Sequence, residues 1–170
     1  MLLRHAKSDR PAGMPDHDRP LNRRGERDAA LIGTYLARNA LTADRVLCST
    51  AERTRQTWDL VARQLPSHPA VDFDERLYDA SPQAILGLLR DTAQKFHLVL
   101  IIGHNPSIHQ VALMLTASGD VEARERMHEK FPTAALAVID FALDEWGKLH
   151  ARSGRLDRFI TPRQLETEPD

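Results

Sequence analysis

The chain has 170 residues, near the usual size of one domain, and its 23 basic and 24 acidic side chains leave a net charge of −1. This balance argues against a polybasic protein that binds nucleic acid or a membrane surface, although it is compatible with a local basic pocket. Hydrophobic residues make up 42% of the chain and no apolar run approaches 18 residues, which indicates a globular domain without a transmembrane helix. The single cysteine, Cys48, excludes an internal disulfide. Because no signal-peptide pattern precedes Arg4-His5, we expect a cytoplasmic protein.

Short apolar runs alternate with amphipathic stretches along the chain. The apolar runs predict strands at residues 1–3, 45–48, 71–73, 98–102, 134–141 and 155–159. The run 98–102 is unbroken, as expected of a central strand that is covered on both faces. Apolar residues at helical spacing predict helices between the strands, with Asn22 and the pair Ser81-Pro82 at two of the helix starts.

This alternation predicts an α/β protein, a three-layer sandwich with a mostly parallel central sheet and helices on both faces. One domain would cover residues 1–160. We expect the polar residues 161–170 to form a loose C-terminal tail.

Polar residues with useful chemistry follow three of the predicted strands. Arg4-His5 follows the first strand, His104 follows the run 98–102, and residues 49–57 open a helix that contains Arg53. In open α/β sheets, ligands bind beyond the carboxyl ends of the strands. Helix N-termini and arginine side chains both bind phosphate oxygens. The sequence therefore predicts a pocket for a phosphoryl group at this edge of the sheet.

Over about residues 1–160 the chain resembles the histidine phosphatase (phosphoglycerate mutase-like) superfamily. Its short length, the loop His17-Asp18-Arg19-Pro20-Leu21 and the turn at 103–107 are most similar to the SixA-type phosphohistidine phosphatases of that superfamily. The resemblance implies a phosphoglycerate mutase-like sandwich. Ala6 stands where the family usually has glycine after its Arg-His pair. Four motifs carry the resemblance in the family's order: Arg4-His5, residues 18–21 leading to Gly25, residues 49–57, and Gly103-His104-Asn105-Pro106-Ser107.

The resemblance also implies a role for five residues. His5 corresponds to the nucleophile that takes the phosphoryl group onto a ring nitrogen. Arg4 and Arg53 correspond to the two arginines that clamp the phosphate, and His104 to the second histidine that binds the same oxygens. Glu75 resembles the glutamate that mutases and many ester phosphatases place after their third strand as a general acid.

Four further residues are second-tier candidates because they lie in loops near the predicted pocket: Lys7, Ser8, Arg19 and Asn105. No metal site and no cofactor are predicted, since the remaining histidines are scattered and His104 and His109 are five residues apart. An imidazole is largely neutral near pH 7, and neighbouring arginines would lower its pKa further. A neutral imidazole is the nucleophilic form.

We therefore interpret the chain as a metal-independent phosphatase that acts through a phosphohistidine enzyme intermediate, with phosphohistidine on a partner protein as the favoured substrate. A small-molecule phosphomonoesterase or mutase of the same superfamily, acting on a phosphorylated metabolite, is the first alternative. A module that binds phosphorylated ligands without turnover is the second, and the presence of His5 argues against it. Neither nucleic acid nor a membrane is an expected partner.

Overall fold

The structure, a computed structural model, describes residues 1–167. Within this range the strands are β1 (Leu2–Arg4), β2 (Arg45–Ser49), β3 (Val71–Asp74), β4 (Val99–Gly103), β5 (Thr116–Gly119), β6 (Leu136–Phe141) and β7 (Gly154–Ile160). The α-helices are α1 (Arg23–Arg38), α2 (Glu52–Ala62), α3 (Pro82–Arg90), α4 (Ser107–Leu115), α5 (Val121–Glu129) and α6 (Pro162–Thr167). Short 3₁₀ turns lie at Asp16–Asp18, Glu75–Leu77 and Trp146–Lys148.

The seven strands form one sheet in the order β3-β2-β4-β1-β6-β7-β5. Strands β3, β2, β4 and β1 pair in parallel, whereas β6 is antiparallel to both β1 and β7. Strand β5 pairs in parallel with β7, so β6 alone runs against the others. The expectation of a mostly parallel sheet is confirmed. Strand β5 is an addition, since the sequence predicted no strand at Thr116–Gly119.

Helices cover both faces of the sheet and divide the core into two layers. Side chains alternate along each strand, so Leu2 and Ile101 enter one layer while Leu3 and Ile102 enter the other. The first layer is completed by apolar residues of α3 and α4, and the second by apolar residues of α1 and α2. All five residues of β4 are buried, as predicted for a central strand. The three-layer sandwich is therefore confirmed.

The register of β1 and β4 places the residues that follow them side by side. Arg4 pairs with Gly103, and the backbone N–H of His5 donates to the Gly103 carbonyl oxygen at 3.0 Å. In β2, Cys48 pairs with Ile102. His5, His104 and Ser49 therefore leave the sheet together at one edge.

The C-terminal segment differs from the expected loose tail as far as it is described. Residues Pro162–Thr167 form α6, in which Leu165 packs against the α1–α2 layer and Glu166 lies 3.1 Å from the Arg27 guanidinium. The apolar Leu165 and the ion pair hold this helix on α1, and neither contact follows from local composition. Residues 168–170 of the predicted tail lie outside the described range, and the division at residue 160 remains a prediction. Across residues 1–167, the structure has no helix long and apolar enough to cross a bilayer.

Candidate active site

His5 is held by the backbone on both sides. Its N–H is bound to Gly103, and its carbonyl oxygen accepts the N–H of Ala134 at 3.0 Å. The imidazole is buried, and its Nδ1 lies 2.7 Å from the carbonyl oxygen of Ala6. Because a carbonyl only accepts hydrogen bonds, this contact requires the ring proton on Nδ1. The lone pair therefore resides on Nε2, which is the atom available for nucleophilic attack.

His104 lies beside His5, with 5.3 Å between the ring centroids. Its Nε2 is 2.8 Å from the hydroxyl oxygen of Ser49, at the end of β2. Its Nδ1 is buried and has no hydrogen-bond partner among residues 1–167. When the Ser49 hydroxyl donates to Nε2, the ring carries its proton on Nδ1, and this N–H is a donor without an acceptor.

Two arginines complete the site. Arg4 ends β1, and its Nη1 donates to the carbonyl oxygen of Phe131 at 3.0 Å. Arg53 lies in the first turn of α2, where it is buried, and its two terminal nitrogens donate to Asp16: Nη1 to the carbonyl oxygen at 2.7 Å and Nη2 to Oδ2 at 3.1 Å. The two guanidinium groups are close enough that Arg53 lowers the pKa of Arg4, after the larger effect of burial.

Three buried nitrogen atoms of this site lack a hydrogen-bond partner in the described chain, namely Nε of Arg4, Nε of Arg53 and Nδ1 of His104. Buried polar groups are normally hydrogen-bonded, so a set of unpaired donors around the His5 side chain needs an explanation. A tetrahedral oxyanion carries several acceptor oxygens and forms charge-assisted hydrogen bonds with arginine. The donors and the two positive charges fit a phosphoryl group bound next to His5.

Both histidines are neutral at pH 7. Burial lowers the pKa of His5 to about 3, and His104 and the two arginines lower it further against the opposing effect of the Ala6 hydrogen bond. Burial and then Arg53 lower the pKa of His104 to about 4. The direction agrees with the expectation from the sequence, but the arginines are not its main cause. Removal of the ring from water penalises the imidazolium form more than the neighbouring charges do.

The second-tier residues Ser8 and Arg19 hold the loop that approaches Arg53. The Arg19 guanidinium is nearly buried and donates to the carbonyl oxygen of Asp9 at 2.9 Å, to Oδ1 of Asp16 at 2.8 Å and to the Ser8 hydroxyl. Both residues therefore act on the site through Asp16. The sequence analysis did not select Asp16. Its position beside the 18–21 motif was the one sequence signal that could have identified it as a site residue.

The other two second-tier residues contribute in different ways. The Lys7 side chain is exposed, and its carbonyl oxygen accepts the N–H of Asn22 at 3.0 Å. Asn105 is tied to Arg4 because its Nδ2 donates at 2.9 Å to the same Phe131 carbonyl oxygen that Arg4 binds. The Oδ1 of Asn105 is buried without a partner among residues 1–167. Asn105 therefore adjoins the phosphoryl pocket, and Lys7 supports the loop after His5.

Tyr78, which the sequence analysis did not select, contacts the site from the turn that follows β3. Its ring lies edge-on to His104 with 5.5 Å between centroids, and its hydroxyl donates to Oδ2 of Asp16 at 2.6 Å. The His17 ring also packs against Tyr78, with 4.9 Å between the ring centroids. Glu75, in the same turn, is exposed, and its carboxylate has no hydrogen bond or ion pair with any described residue. The role of Glu75 as a general acid remains a prediction.

Within residues 1–167, no group of three or more His, Cys, Asp or Glu side chains is arranged so that it could hold a metal ion. Arg4 and Arg53 supply positive charge to the pocket. Together with the His104 N–H, these side chains can neutralise a phosphoryl group that is attacked by His5.

The sequence and the fold both match known proteins. Residues 1–99 match the model of the histidine phosphatase superfamily, branch 1. A protein of Mycobacterium leprae is 40% identical over 166 residues, which cover 95% of this chain and all of the relative. A SixA protein of Nakamurella multipartitia has 28% identity and a TM-score of 0.81, with 95% of each chain covered. A SixA protein of Agrobacterium tumefaciens has 29% identity and a TM-score of 0.77, with 95% of this chain and 96% of that chain covered.

The family match covers three of the four central site residues, Arg4, His5 and Arg53. The structural matches extend over nearly the whole sandwich, including the strand that leads to His104. On these grounds the chain belongs to branch 1 of the histidine phosphatase superfamily and is a phosphatase of that class.

Proposed function

We propose that this protein hydrolyses phosphohistidine on a partner protein, without a metal ion, through a phosphorylated His5. The observation that carries the proposal is the contact between His5 Nδ1 and the Ala6 carbonyl oxygen at 2.7 Å. This contact leaves Nε2 unprotonated on a buried ring, beside donors that suit a phosphoryl group. The choice of substrate is supported by the SixA relatives from Nakamurella and Agrobacterium, which bear the name phosphohistidine phosphatase.

The reaction has two steps. His5 Nε2 forms a bond to phosphorus as the bond from phosphorus to the leaving nitrogen breaks, and the electron pair of that bond stays on the leaving group. Water then attacks the phosphorylated His5, which releases inorganic phosphate and restores the free imidazole. In both steps Arg4 and Arg53 offset the charge on the non-bridging oxygens, and the Nδ1–H of His104 donates to one of them.

Trapping of the phosphorylated enzyme tests the role of His5. The protein is mixed with ³²P-labelled phosphoimidazole and quenched in base, because phosphohistidine survives alkali and is lost in acid. Label is expected on wild type and on His109→Ala, a control histidine whose Nε2 contacts the Met127 carbonyl oxygen outside the site. No label is expected on His5→Ala. Wild-type turnover by His5→Ala would contradict the proposal.

A chelator tests the absence of a metal. With Arg4 and Arg53 supplying the positive charge, turnover of phosphoimidazole is expected to survive prolonged treatment with EDTA. Loss of activity that one divalent cation restores would show that a metal ion takes part.

A further inference from the structure

The Asp16 side chain accepts three hydrogen bonds at the mouth of the site. Its Oδ2 accepts from Tyr78 at 2.6 Å and from Arg53 at 3.1 Å, and its Oδ1 accepts from Arg19 at 2.8 Å. These donors hold the pKa of the Asp16 carboxyl well below its usual range, with the Tyr78 hydrogen bond as the largest cause. Asp16 is therefore an anion at every pH at which the enzyme would work.

The carboxylate retains room for one more hydrogen bond. A carboxylate offers about four acceptor positions, two on each oxygen. Oδ2 uses both of its positions, whereas Oδ1 has a single partner among residues 1–167. The Asp16 side chain is also 54% exposed, in contrast to the buried Arg53 that it binds. A charged acceptor with a free position thus lies open to solvent, one guanidinium group away from the phosphoryl pocket.

The leaving group departs on the solvent side of the pocket, where Asp16 lies. In-line transfer places it opposite the attacking His5 Nε2, away from the buried floor formed by His5, His104 and Arg53. The half-buried Tyr78, in edge contact with His104, and the exposed Asp16 lie on the solvent side of that floor. A leaving group that extends toward solvent past His104 therefore meets Tyr78 and the Asp16 carboxylate bound to it.

We propose that Asp16 accepts a hydrogen bond from the distal ring N–H of a phosphorylated imidazole and thereby selects phosphohistidine over phosphate esters. This inference rests on the proposed function. The proton on the distal nitrogen decides how easily the bond from phosphorus to nitrogen breaks, because the ring then departs as neutral imidazole and not as imidazolate. An adjacent carboxylate raises the fraction of bound substrate that carries this proton.

The same carboxylate disfavours oxygen leaving groups. An alkyl or aryl ester has no proton on its bridging oxygen, and that oxygen gains negative charge as its bond to phosphorus breaks. A fixed anion beside it repels this charge, so Asp16 gives no assistance where an ester needs it. One residue therefore favours nitrogen leaving groups and opposes oxygen ones.

The substitution Asp16→Asn tests the proposal through the ratio of kcat/KM for phosphoimidazole to kcat/KM for an aryl phosphate. A hydrogen bond to a charged group supports an expected fall of about 10- to 100-fold for phosphoimidazole. The aryl phosphate, which uses the same Arg53, is expected to fall far less. Asp18→Asn is the matched control, since it removes the same charge two residues along the chain, from an exposed side chain that contacts His17. It is expected to keep the wild-type ratio.

A substrate with a methyl group on the distal nitrogen keeps the positive charge and lacks the N–H. The ratio of wild-type to Asp16→Asn kcat/KM is expected to be smaller for this analogue than for phosphoimidazole, and this comparison holds even when Asp16→Asn weakens the loop. Equal losses on phosphoimidazole and aryl phosphate would overturn the proposal and make Asp16 an anchor of Arg53. A wild-type enzyme that hydrolyses the aryl phosphate but not phosphoimidazole would instead refute the proposed substrate.

Discussion

The imidazole of His104 and the hydroxyl of Ser49 are 2.8 Å apart, and this contact joins the ends of two neighbouring parallel strands. The contact exists because Cys48 pairs with Ile102. This register places Ser49, at the end of β2, and His104, just after β4, at the same edge of the sheet. With Nε2 engaged by Ser49, the buried Nδ1 is the ring atom left for a phosphoryl oxygen. The register of the sheet thereby sets the position of His104 and places Nε2 beside Ser49.

Removal of the Ser49 hydroxyl is expected to slow the reaction. In Ser49→Ala, Nε2 of the buried His104 loses its partner and Nδ1–H is no longer the favoured tautomer. The net contribution of about 1 kcal/mol for one hydrogen bond corresponds to a fall of about fivefold in kcat/KM. Steady-state kinetics with phosphoimidazole measure it. Thr116→Val removes a buried hydroxyl far from the site, one that donates to Ala112, and is expected to lower stability without this kinetic loss.

The stability of the protein is expected to fall as the pH drops below about 6.5. The folded-state pKa values of about 3 for His5 and about 4 for His104 lie below the ordinary value, so the unfolded chain binds more protons in that window. Stability from the two neutral rings is complete above pH 6.5 and is lost toward the folded pKa values. Urea unfolding at pH 7, 5.5 and 4.5 measures the slope, which His104→Gln should reduce. An unchanged slope in that variant would contradict the assignment.

Local chemistry accounts for the elements that the sequence predicted well. Asn22 accepts the Gly25 N–H at 2.9 Å and Ser81 accepts the Ala84 N–H at 3.1 Å, as expected of N-caps that act within one turn. The buried run that forms β4 could be predicted equally well because all of its side chains are apolar. In contrast, β5 has few apolar residues and is a strand only because β7, far along the chain, pairs with it.

The candidate site likewise contains residues that the local sequence predicts and residues that it does not. His5 and His104 could be predicted because each directly follows an apolar strand, and the edge of a parallel sheet is where ligands bind. Asp16 and Tyr78 reach the site from loops, and they meet there across 62 positions of sequence through one hydrogen bond. No local pattern encodes such a contact, since it depends on how two loops pack above the finished sheet.

Gly25 is expected to tolerate no side chain, since a Cβ there would lie 2.0 Å from the Lys7 carbonyl oxygen. Gly25→Ala must displace the loop that follows His5, at a cost typical of overpacking, about 1–3 kcal/mol. The midpoint temperature of thermal unfolding and kcat/KM should both fall. Gly87 provides the matched control, because a Cβ there meets open space and alanine favours the helix by about 1 kcal/mol. Equal effects of the two substitutions would show that the contact with Lys7 does not matter.

Glu75→Gln separates the substrate classes by what their leaving groups require. A phosphorylated imidazole that carries a proton on its distal nitrogen departs as a neutral ring and needs no protein acid. We therefore expect Glu75→Gln to hydrolyse phosphoimidazole at the wild-type rate. An alkyl phosphate must expel an alkoxide unless it is protonated, and loss of a general acid typically costs about 10²–10⁴-fold. Any activity on alkyl phosphates should fall in that range if the exposed Glu75 supplies the proton.

The measurement is kcat/KM for phosphoimidazole and for an alkyl phosphate in wild type, Glu75→Gln and Asp79→Asn. Asp79 is the control because it is an exposed carboxylate four residues further along the chain. A wild-type enzyme that prefers the alkyl phosphate, together with a large loss in Glu75→Gln alone, would reverse the substrate assignment. Glu75 would then be the general acid of a small-molecule phosphatase, since only an oxygen leaving group makes its proton rate-determining.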